Sequence, residues 1–317
     1  MHNDTTPTAD DQARVLDKGS LRQPVPPHPL AEQMDTAQTD YFRTIPAGID
    51  ARWEQVDTPL FQRSFTLFGK PGSGKSTLAK TLLAGAVLDP LVETEAWVFA
   101  VNNDWEWCRG VASVHVGGDE DDVTEAIARL RELLAELRTR GLALQEHGID
   151  KVTRTAAERD VRLRPRVVVM DECQKLFKQE DKQLRDEVKM AAEKLLAEGR
   201  KYAVTVLFAT PDPGAGNVPR EVVMAATNKA TGAIGDQRRN DIALYDGAFA
   251  AGLSAVGLQP AITTADGTFH PRDIGTLVQT GYGSGDGLLR TYVLSDDQLA
   301  AVARRAAELR DGRPGRR

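Results

Sequence analysis

Nine consecutive residues have the composition and spacing of a phosphate-binding loop. They match the pattern G-x-x-x-x-G-K-[ST] and read Gly69, Lys70, Pro71, Gly72, Ser73, Gly74, Lys75, Ser76 and Thr77. The glycines let the chain curl so tightly that several backbone N–H groups point at one phosphate oxyanion. An apolar run precedes the loop and a helix-forming run follows it, which is the context that the motif requires. Lys75 would reach the β- and γ-phosphates and Ser76 would ligate Mg²⁺, so we expect the chain to bind a nucleoside triphosphate.

Two acidic residues follow a second apolar run. Residues 167–170 are wholly apolar, as in a strand buried within a parallel sheet, and Asp171 and Glu172 come directly after them. Such a strand delivers its carboxylates to the edge where α/β sheets bind ligands. Asp171 would hold Mg²⁺, mostly through water, and Glu172 would polarise the attacking water as a general base. A GTPase switch normally lacks the second acid, so the pair favours an ATPase that does work. The alternative is an ordinary strand that ends in solvated acids, and the presence of the phosphate-binding loop at 69–77 argues against it.

Composition limits the remaining function classes. The two cysteines, Cys108 and Cys173, have neither metal-site spacing nor a disulfide framework, which suits a reducing cytoplasm. No apolar stretch approaches the roughly 20 residues of a membrane span, so at a membrane another protein would have to hold the chain. The net charge of −6 argues against a simple basic DNA-binding surface. It does not exclude DNA, because a ring can confine its basic residues to a central pore.

Alternating strand and helix patterns predict an α/β fold with a mainly parallel, doubly wound sheet. We expect strands over 96–101, 167–170 and 204–209 and helices over 121–145, 180–199 and 295–310. Residues 1–40 are rich in Asp, Thr, Gln and Pro and predict a disordered arm. This gives three parts: the arm (1–40), an ATPase domain (41–295), and a C-terminal helix with a basic tail (296–317).

Residues 150–177, which lead into the acid pair and continue through Cys173, Gln174 and a Leu-Phe pair, are more specific. They resemble the FtsK/SpoIIIE family of DNA translocases within the HerA-FtsK ATPase group. The likeness is greatest to short actinobacterial members found on conjugative plasmids, integrative elements and phages. Weaker echoes in the same order occur at 45–50, 101–105, 207–210, 218–219 and 291–294, so that the resemblance covers roughly residues 41–295.

The resemblance implies a RecA-like P-loop NTPase motor that assembles as a homo-oligomer, a hexameric ring around double-stranded DNA, and pumps the DNA with ATP and Mg²⁺. It transfers the loop and acid-pair roles onto Lys75, Ser76, Asp171 and Glu172. Gln174 falls where the family often has a polar residue that senses the γ-phosphate. An arginine from one subunit normally completes the neighbouring subunit's site, and Arg238 or Arg239 fits by position, unless both are solvated turn residues.

The chain also departs from the family pattern. The family usually reads Ala-Thr-Gln-Arg-Pro after its fourth strand, whereas this chain reads Ala209-Thr210-Pro211-Asp212-Pro213. The sensor glutamine is missing, and Thr210 is a weaker hydrogen-bonding substitute. Neither a membrane-spanning N-terminal domain nor a C-terminal winged helix is recognisable. We therefore expect a bare cytoplasmic motor that a membrane or other recruiting protein aims.

Several points stay open at this stage. The basic residues of 151–166 and 175–189 would either grip DNA phosphates or form solvated faces, and interleaved acids favour a solvated face for the second segment. Trp105 and Trp107 would either line the nucleotide cleft or, as we expect, pack in the core. Two alternative functions remain: a packaging or secretion ATPase of the HerA-FtsK group, and a slow nucleotide-dependent binding switch.

Overall fold

The structure is a computed structural model that describes residues 25–214, 217–283 and 285–312. Its strands are β1 Thr44–Ile49, β2 Gln55–Pro59, β3 Phe65–Phe68, β4 Glu93–Val98, β5 Ser113–Val116, β6 Arg166–Asp171, β7 Val204–Thr210, β8 Asn228–Thr231, β9 Ile262–Thr263, β10 Phe269–His270, β11 Thr276–Thr280 and β12 Gly287–Thr291. Its α-helices are α1 Lys75–Val87, α2 Glu120–Glu146, α3 Arg154–Arg159, α4 Gln174–Phe177, α5 Lys182–Glu198, α6 Arg220–Ala225, α7 Gln237–Ala243 and α8 Asp296–Asp311. Short 3-10 helices cover Pro29–Thr36, Glu106–Cys108, Val161–Leu163 and Gly199–Tyr202.

One large mixed sheet forms the centre of the fold. Its strand order is β2-β1-β12-β11-β8-β3-β7-β6-β4-β5. The strands from β8 to β5 run parallel, and the remaining pairs, from β2 to the junction with β8, are antiparallel. The fold is thus that of a P-loop NTPase with a largely parallel sheet, as the sequence predicts. β9 and β10 form a separate two-stranded hairpin.

The strand that carries the acid pair is buried on both faces. Along β6, Val167 and Val169 pack in one apolar cluster with residues of α1 and α8, while Val168 and Met170 pack in a second cluster with residues of α2 and α5. Because successive side chains of a strand point to opposite faces, an uninterrupted apolar run requires helices on both sides. The helices therefore cover the sheet in two layers.

Strand register brings the ends of three strands to one edge. Phe68, the last residue of β3, pairs with Thr210 on β7, and Asp171 at the end of β6 pairs with Ala209. The phosphate-binding loop follows β3 directly, so the loop, the acid pair and Thr210 share the C-terminal edge of the parallel strands, where ligands bind in such sheets.

The chain before β1 differs from the disordered arm expected over 1–40. Residues 1–24 lie outside the described residues, whereas the 3-10 helix Pro29–Thr36 packs on the domain. Leu30 and Met34 contact the apolar cluster, and Ala37 is buried in it. These apolar residues are spaced three or four apart, which places them on one side of a helical turn. The polar composition of residues 1–40 as a whole obscured this local pattern.

The C-terminal helix is close to the prediction. α8 begins with a capping box between Ser295 and Gln298 and packs beside the arm, where the Arg305 guanidinium donates to the backbone carbonyl of Ala37. The basic tail beyond it falls largely on residues 313–317, outside the described part. None of the helices in the described ranges combines the length and apolar character needed to cross a bilayer.

Candidate nucleotide-binding site

The phosphate-binding loop has the backbone conformation that its glycines allow. Gly69, Gly72 and Gly74 have φ angles of 143°, 76° and 92°, which side chains disfavour. A Cβ on Gly72 would lie 2.7 Å from the carbonyl oxygen of Ala261, and a Cβ on Gly74 would clash with the backbone of Gly275. The loop is therefore packed against the segment that carries the β9–β10 hairpin.

Backbone hydrogen bonds hold the loop in this position. Ala261 N–H donates to the carbonyl of Gly72 and Gly275 N–H donates to the carbonyl of Ser73, each at 2.9 Å. Lys70 N–H donates to the carbonyl of Ala233, also at 2.9 Å. The loop is thus anchored on both sides before any ligand enters.

Lys75 lies in a buried ion pair at the start of α1. Only 6% of the residue is exposed, and its Nζ lies 2.7 Å from Asp171 Oδ1 and 3.6 Å from Glu172 Oε1. Burial alone would lower the pKa of Lys75, but the attraction and hydrogen bond of Asp171, with a further contribution from Glu172, raise it above the ordinary value. The lysine is therefore a cation, held by the same acids that would flank a triphosphate.

Asp171 and Glu172 occupy different environments. Asp171 is buried and also accepts a hydrogen bond of 3.2 Å from the hydroxyl of Ser76. Glu172 is partly exposed and has a φ of 56°, which is uncommon for a residue with a side chain. Such strain often marks a functional position. One acid thus faces the loop, and the other remains open to solvent.

Gln174 and Thr210 extend this cluster along the sheet edge. The Gln174 amide donates to Glu172 Oε2 at 2.8 Å, and the Thr210 hydroxyl donates to Gln174 Oε1 at 2.8 Å. A continuous set of polar contacts therefore runs from Lys75 through Glu172 and Gln174 to the end of β7. The sequence suggested both residues separately, and the structure shows that they are bonded to each other.

Trp105 is the residue that sequence reasoning undervalued. It is fully buried, as core packing predicts, yet its indole N–H also donates to Asp171 Oδ2 at 3.3 Å. Trp107 is only partly buried, packs against the apolar cluster, and its buried indole nitrogen has no hydrogen-bond partner among the described residues. In the sequence, Trp105 stands out by its place in the run Asn102-Asn103-Asp104-Trp105 after a strand. That run does not reveal the hydrogen bond between Trp105 and Asp171.

The residues fit a nucleotide with Mg²⁺. The buried hydroxyl of Ser73 has no hydrogen-bond partner within the described structure, and it lies in the loop that would surround a phosphate. Ser76, Asp171 and Glu172 supply hard oxygen donors, which Mg²⁺ prefers. No cluster of three or more His, Cys, Asp and Glu side chains suited to a metal occurs in the described ranges. Few protein ligands are usual where substrate phosphates complete the metal's coordination.

The two arginines proposed as fingers are not equivalent. Arg239 on α7 pairs with Asp212 and Asp236 of its own chain. Arg238 is exposed, and no ion pair of its side chain occurs in the part of the chain that the structure describes. It borders an open cavity of about 680 Å³ together with Arg220. In the described residues, neither arginine forms an ion pair with Asp171 or Glu172 of its own chain.

Intramolecular ion pairs engage the main arginines of segment 151–166. Arg154 pairs with Asp40 and Asp89, Arg162 with Asp160 and Glu146, and Arg166 with Glu93, Glu95 and Glu136. Arg166 begins β6, so the end of this segment lies at the edge of the sheet opposite Asp171. Three arginines of the segment thus brace the fold, whereas Lys151 and Arg159 are exposed and have no ion pair in the described residues, so the role of this segment in DNA binding stays a prediction.

The basic residues of the second segment, 175–189, fall into two groups, those with partners in the chain and those without an ion pair. Lys175 donates to the carbonyl of Gly118, Arg185 to that of Gln179, and Lys189 pairs with Glu221. Lys178 and Lys182 are exposed, and their side chains have no ion pair among the described residues. They flank the turn between α4 and α5, shortly after the acid pair.

Comparison with known proteins supports the fold. Residues 61–212 match the family model described as an AAA domain. The structure is similar to the pCW3 conjugation coupling protein TcpA, determined with ATPγS, at 17% identity and a TM-score of 0.68 over 92% of this chain and 76% of that one. A comparison with curated protein sequences gave no match.

Two secretion ATPases show the same architecture. EssC (ATPases 2 and 3) of Geobacillus thermodenitrificans has a TM-score of 0.59 at 16% identity, over 91% of this chain and 52% of that one. The cytoplasmic domain of the Thermomonospora curvata type VII secretion ATPase EccC has a TM-score of 0.60 at 16% identity, over 92% of this chain and 32% of that one. The chain thus spans about half and about a third of these longer proteins. The matched domain, the hydrogen-bonded phosphate-binding loop and the acid pair lead to the same conclusion. This chain is an ATPase of the P-loop fold.

Proposed function

We propose that the chain is a motor that uses ATP to move double-stranded DNA, in the manner of FtsK/SpoIIIE translocases, as a homo-oligomeric ring that we expect to be hexameric. The observation that carries this proposal is the polar path from Lys75 through Glu172 and Gln174 to Thr210. It connects the site of hydrolysis to the segment after β7, which a motor must move. Likeness to a conjugation coupling protein over 92% of the chain supports DNA as the cargo.

Hydrolysis would proceed through residues that are already assembled. Lys75 would exchange its carboxylate partners for the β- and γ-phosphates, and Ser76 would turn from Asp171 toward Mg²⁺. Mg²⁺ held near Ser76 and Asp171 would supply charge stabilisation for the transferring phosphoryl group. Glu172, freed from Lys75, would accept a proton from the attacking water, while Gln174 fixes the orientation of its carboxylate.

An arginine from the neighbouring subunit would complete the transition-state charge. We assign this role to Arg238, because Arg239 is already held by Asp212 and Asp236. An arginine that must reach another subunit needs an exposed guanidinium without partners in its own chain. Arg239 would then support the start of α7 and set the direction of its neighbour.

DNA would be held by phosphate contacts that do not read the sequence. We assign these contacts to Lys178 and Lys182, which are exposed, have no ion pair in the described residues and lie near the edge that carries the acid pair. Only a few cations per subunit are needed, because a ring repeats them around the pore. The motor would work in the cytoplasm, and another protein would recruit it. For DNA transfer between cells, that recruitment would be to the membrane.

The first test is ATP hydrolysis with and without linear double-stranded DNA over a salt series. DNA should raise the rate several-fold, added salt should remove the stimulation, and both Lys75→Ala and Glu172→Gln should abolish turnover. The double variant Lys178→Ala/Lys182→Ala should weaken DNA stimulation and lower the salt slope by about 1 for each DNA phosphate that the variant no longer binds. Lys194→Ala/Lys201→Ala is the matched control, since both lysines are exposed and lie outside the two segments considered for DNA contact.

A secretion ATPase is the second candidate, because EssC and EccC share the fold over more than nine-tenths of this chain. On that alternative, DNA leaves the rate unchanged until a channel or portal partner is supplied. A slow rate indifferent to both DNA and partner would instead indicate a nucleotide-dependent binding switch.

A further inference from the structure

The carboxylate of Asp171 accepts four hydrogen bonds, two on each oxygen. Oδ1 accepts from Lys75 Nζ at 2.7 Å and from the backbone N–H of Glu172 at 3.0 Å. Oδ2 accepts from the Ser76 hydroxyl at 3.2 Å and from the Trp105 indole at 3.3 Å. A carboxylate has about four acceptor positions, so its hydrogen-bonding capacity is filled within the protein.

These donors fall into two kinds. Lys75 and Ser76 belong to the phosphate-binding loop, and both would leave Asp171 when they turn to a phosphate and a metal. The Glu172 N–H and the Trp105 indole are not loop groups and would stay, one on each carboxylate oxygen. When the loop residues leave, the indole is the remaining protein donor to Oδ2 in the described structure.

We propose that Trp105 is a positioning residue that holds Oδ2 of Asp171 in place for the water shell of Mg²⁺. Groups that orient a metal-binding carboxylate by hydrogen bonding commonly set the affinity for the metal. The inference rests on the proposed binding of magnesium and nucleotide at this loop, and it is independent of DNA movement.

The surroundings of Trp105 are rigid enough for this role. Asp104 N–H donates to the Asn102 side chain at 3.0 Å, which closes the turn after β4, and Lys80 of α1 pairs with Asp104 at 2.8 Å. The Trp105 carbonyl accepts hydrogen bonds from Cys108, and the tryptophan itself is fully buried. The turn is therefore tied to the same helix that begins with Lys75 and Ser76.

The test compares Trp105→Phe with Trp107→Phe in the full chain. Phenylalanine retains an aromatic ring but removes the indole N–H, and the Trp107 indole nitrogen has no hydrogen-bond partner in the described residues. Binding of a fluorescent ATPγS analogue is measured as Mg²⁺ is titrated and again in excess chelator. For Trp105→Phe the Mg²⁺ concentration at half-maximal enhancement should rise about tenfold, with binding in chelator unchanged. Trp107→Phe should match the wild type in both conditions.

The outcomes separate the two proposals. If the wild type fails to bind the analogue with Mg²⁺, the proposed nucleotide site itself is wrong. If the wild type binds but the two variants show the same Mg²⁺ dependence, only the role of Trp105 is overturned. A loss of affinity in chelator as large as that in Mg²⁺ would likewise overturn it, because it would indicate a general disturbance of the loop.

A second measurement covers the case in which Trp105→Phe does not fold. The indole ¹⁵N–¹H signals of the full chain are recorded, and the Trp105 signal is assigned by elimination with Trp53→Phe, Trp97→Phe and Trp107→Phe. We expect this signal to stay protected from hydrogen exchange both before and after addition of Mg²⁺ and ATPγS. Rapid exchange on binding would show that the indole leaves Asp171, which contradicts the proposal.

Discussion

The backbone of Glu172 is strained, and its side chain accepts a hydrogen bond from the Gln174 amide. Its φ of 56° costs about 1–3 kcal/mol, and neighbouring contacts must offset that cost. Its own N–H bonds to Asp171 Oδ1, and the next residue, Cys173, donates its N–H to the Ala209 carbonyl at 3.0 Å. The strand pair β6–β7 therefore fixes the backbone that aims Glu172, so that catalysis by Glu172 as the proposed general base would depend on the sheet edge as well as on the acid.

Thr210→Val tests whether this edge governs hydrolysis. Valine has nearly the same shape but cannot donate to Gln174, so the amide that orients Glu172 loses its own support. We expect kcat for ATP hydrolysis to fall about tenfold with little change in nucleotide affinity, since Lys75 and Ser76, which would bind the phosphates and metal, are unchanged. Thr210→Ser keeps the hydroxyl and should retain most of the activity. Equal losses in both variants would point to packing and would contradict the hydrogen-bond account.

Residue spacing predicts only part of this site. The loop and acid-pair residues lie in short motifs whose chemistry is local, so the sequence identifies Lys75, Ser76, Asp171 and Glu172. The contact between Trp105 and Asp171 joins positions 66 residues apart. It depends on how the turn after β4 folds, and no periodicity encodes that geometry. The link from Thr210 to Gln174 is similar, because it requires the register of two strands.

At the scale of elements, the sequence predicts the central parallel strands of the sheet but not the antiparallel ones. Buried parallel strands such as Arg166–Asp171 and Val204–Thr210 consist of short apolar runs that alternate with amphipathic helices. The antiparallel strands lack such runs. They are defined by pairing: β1 pairs with β2 and β12, and β11 pairs with β12 and β8.

Gly48 shows how closely this antiparallel half is packed. It lies at an irregularity in β1 opposite Thr291 of β12, and a Cβ there would clash with the backbone carbonyl of Arg290. Because strand backbone cannot move aside as a side-chain end can, Gly48→Ala should lower the free energy of unfolding by about 2 kcal/mol. Gly110→Ala, where nothing lies within 4 Å of the added carbon, should change it by less than about 0.5 kcal/mol. Urea unfolding of both variants decides the point, and equal midpoints would refute the close packing.

The arm before β1 should respond to acid through His28. Burial lowers the pKa of His28 from 6.5 to about 4, although a hydrogen bond with the backbone of Pro46 acts in the opposite direction. The imidazole also accepts from the N–H of Leu30 and packs edge-on against Tyr292. Between these two pKa values the unfolded chain binds more protons than the folded one. The contribution of neutral His28 to the free energy of unfolding is therefore fully present above pH 6.5. It falls as the pH drops toward 4, by up to about 3 kcal/mol.

The measurement is urea unfolding of wild type and His28→Gln at pH 7 and pH 5. The loss on acidification should be smaller in the variant, because glutamine does not titrate, even if the variant is less stable at both pH values. His270→Gln is the control, since His270 is exposed on β10 and should leave the acid response of the wild type intact. An identical pH response in His28→Gln would show that other groups cause the acid sensitivity.

For the whole molecule, the distribution of charge matters more than the total of −6. Several arginines leading into β6 are paired with acids, as Arg166 is with Glu93 and Glu95 at the edge opposite the site. Among the exposed cations without ion pairs in the described residues, Lys178, Lys182 and Arg238 come from segments after β6 and β8. An acidic chain can thus present positive charge locally, where a ring would need it for DNA phosphates and for a neighbouring nucleotide.

The ring itself is tested by mixing two inactive variants. Lys75→Ala destroys a subunit's own site but keeps its Arg238, and Arg238→Ala keeps the site but removes the finger, so each alone should lose at least about 10³-fold in kcat. If the finger acts on the neighbour, an Arg238→Ala subunit beside a Lys75→Ala subunit regains a complete interface. Random assembly of equal amounts should then restore up to roughly a quarter of the wild-type rate, since half the sites are intact and half of those face an intact finger. Arg239→Ala should stay largely active alone, because its contacts are within its own chain. A mixture as inactive as its components would mean that Arg238 serves its own site or none, and the proposed shared interface would be wrong.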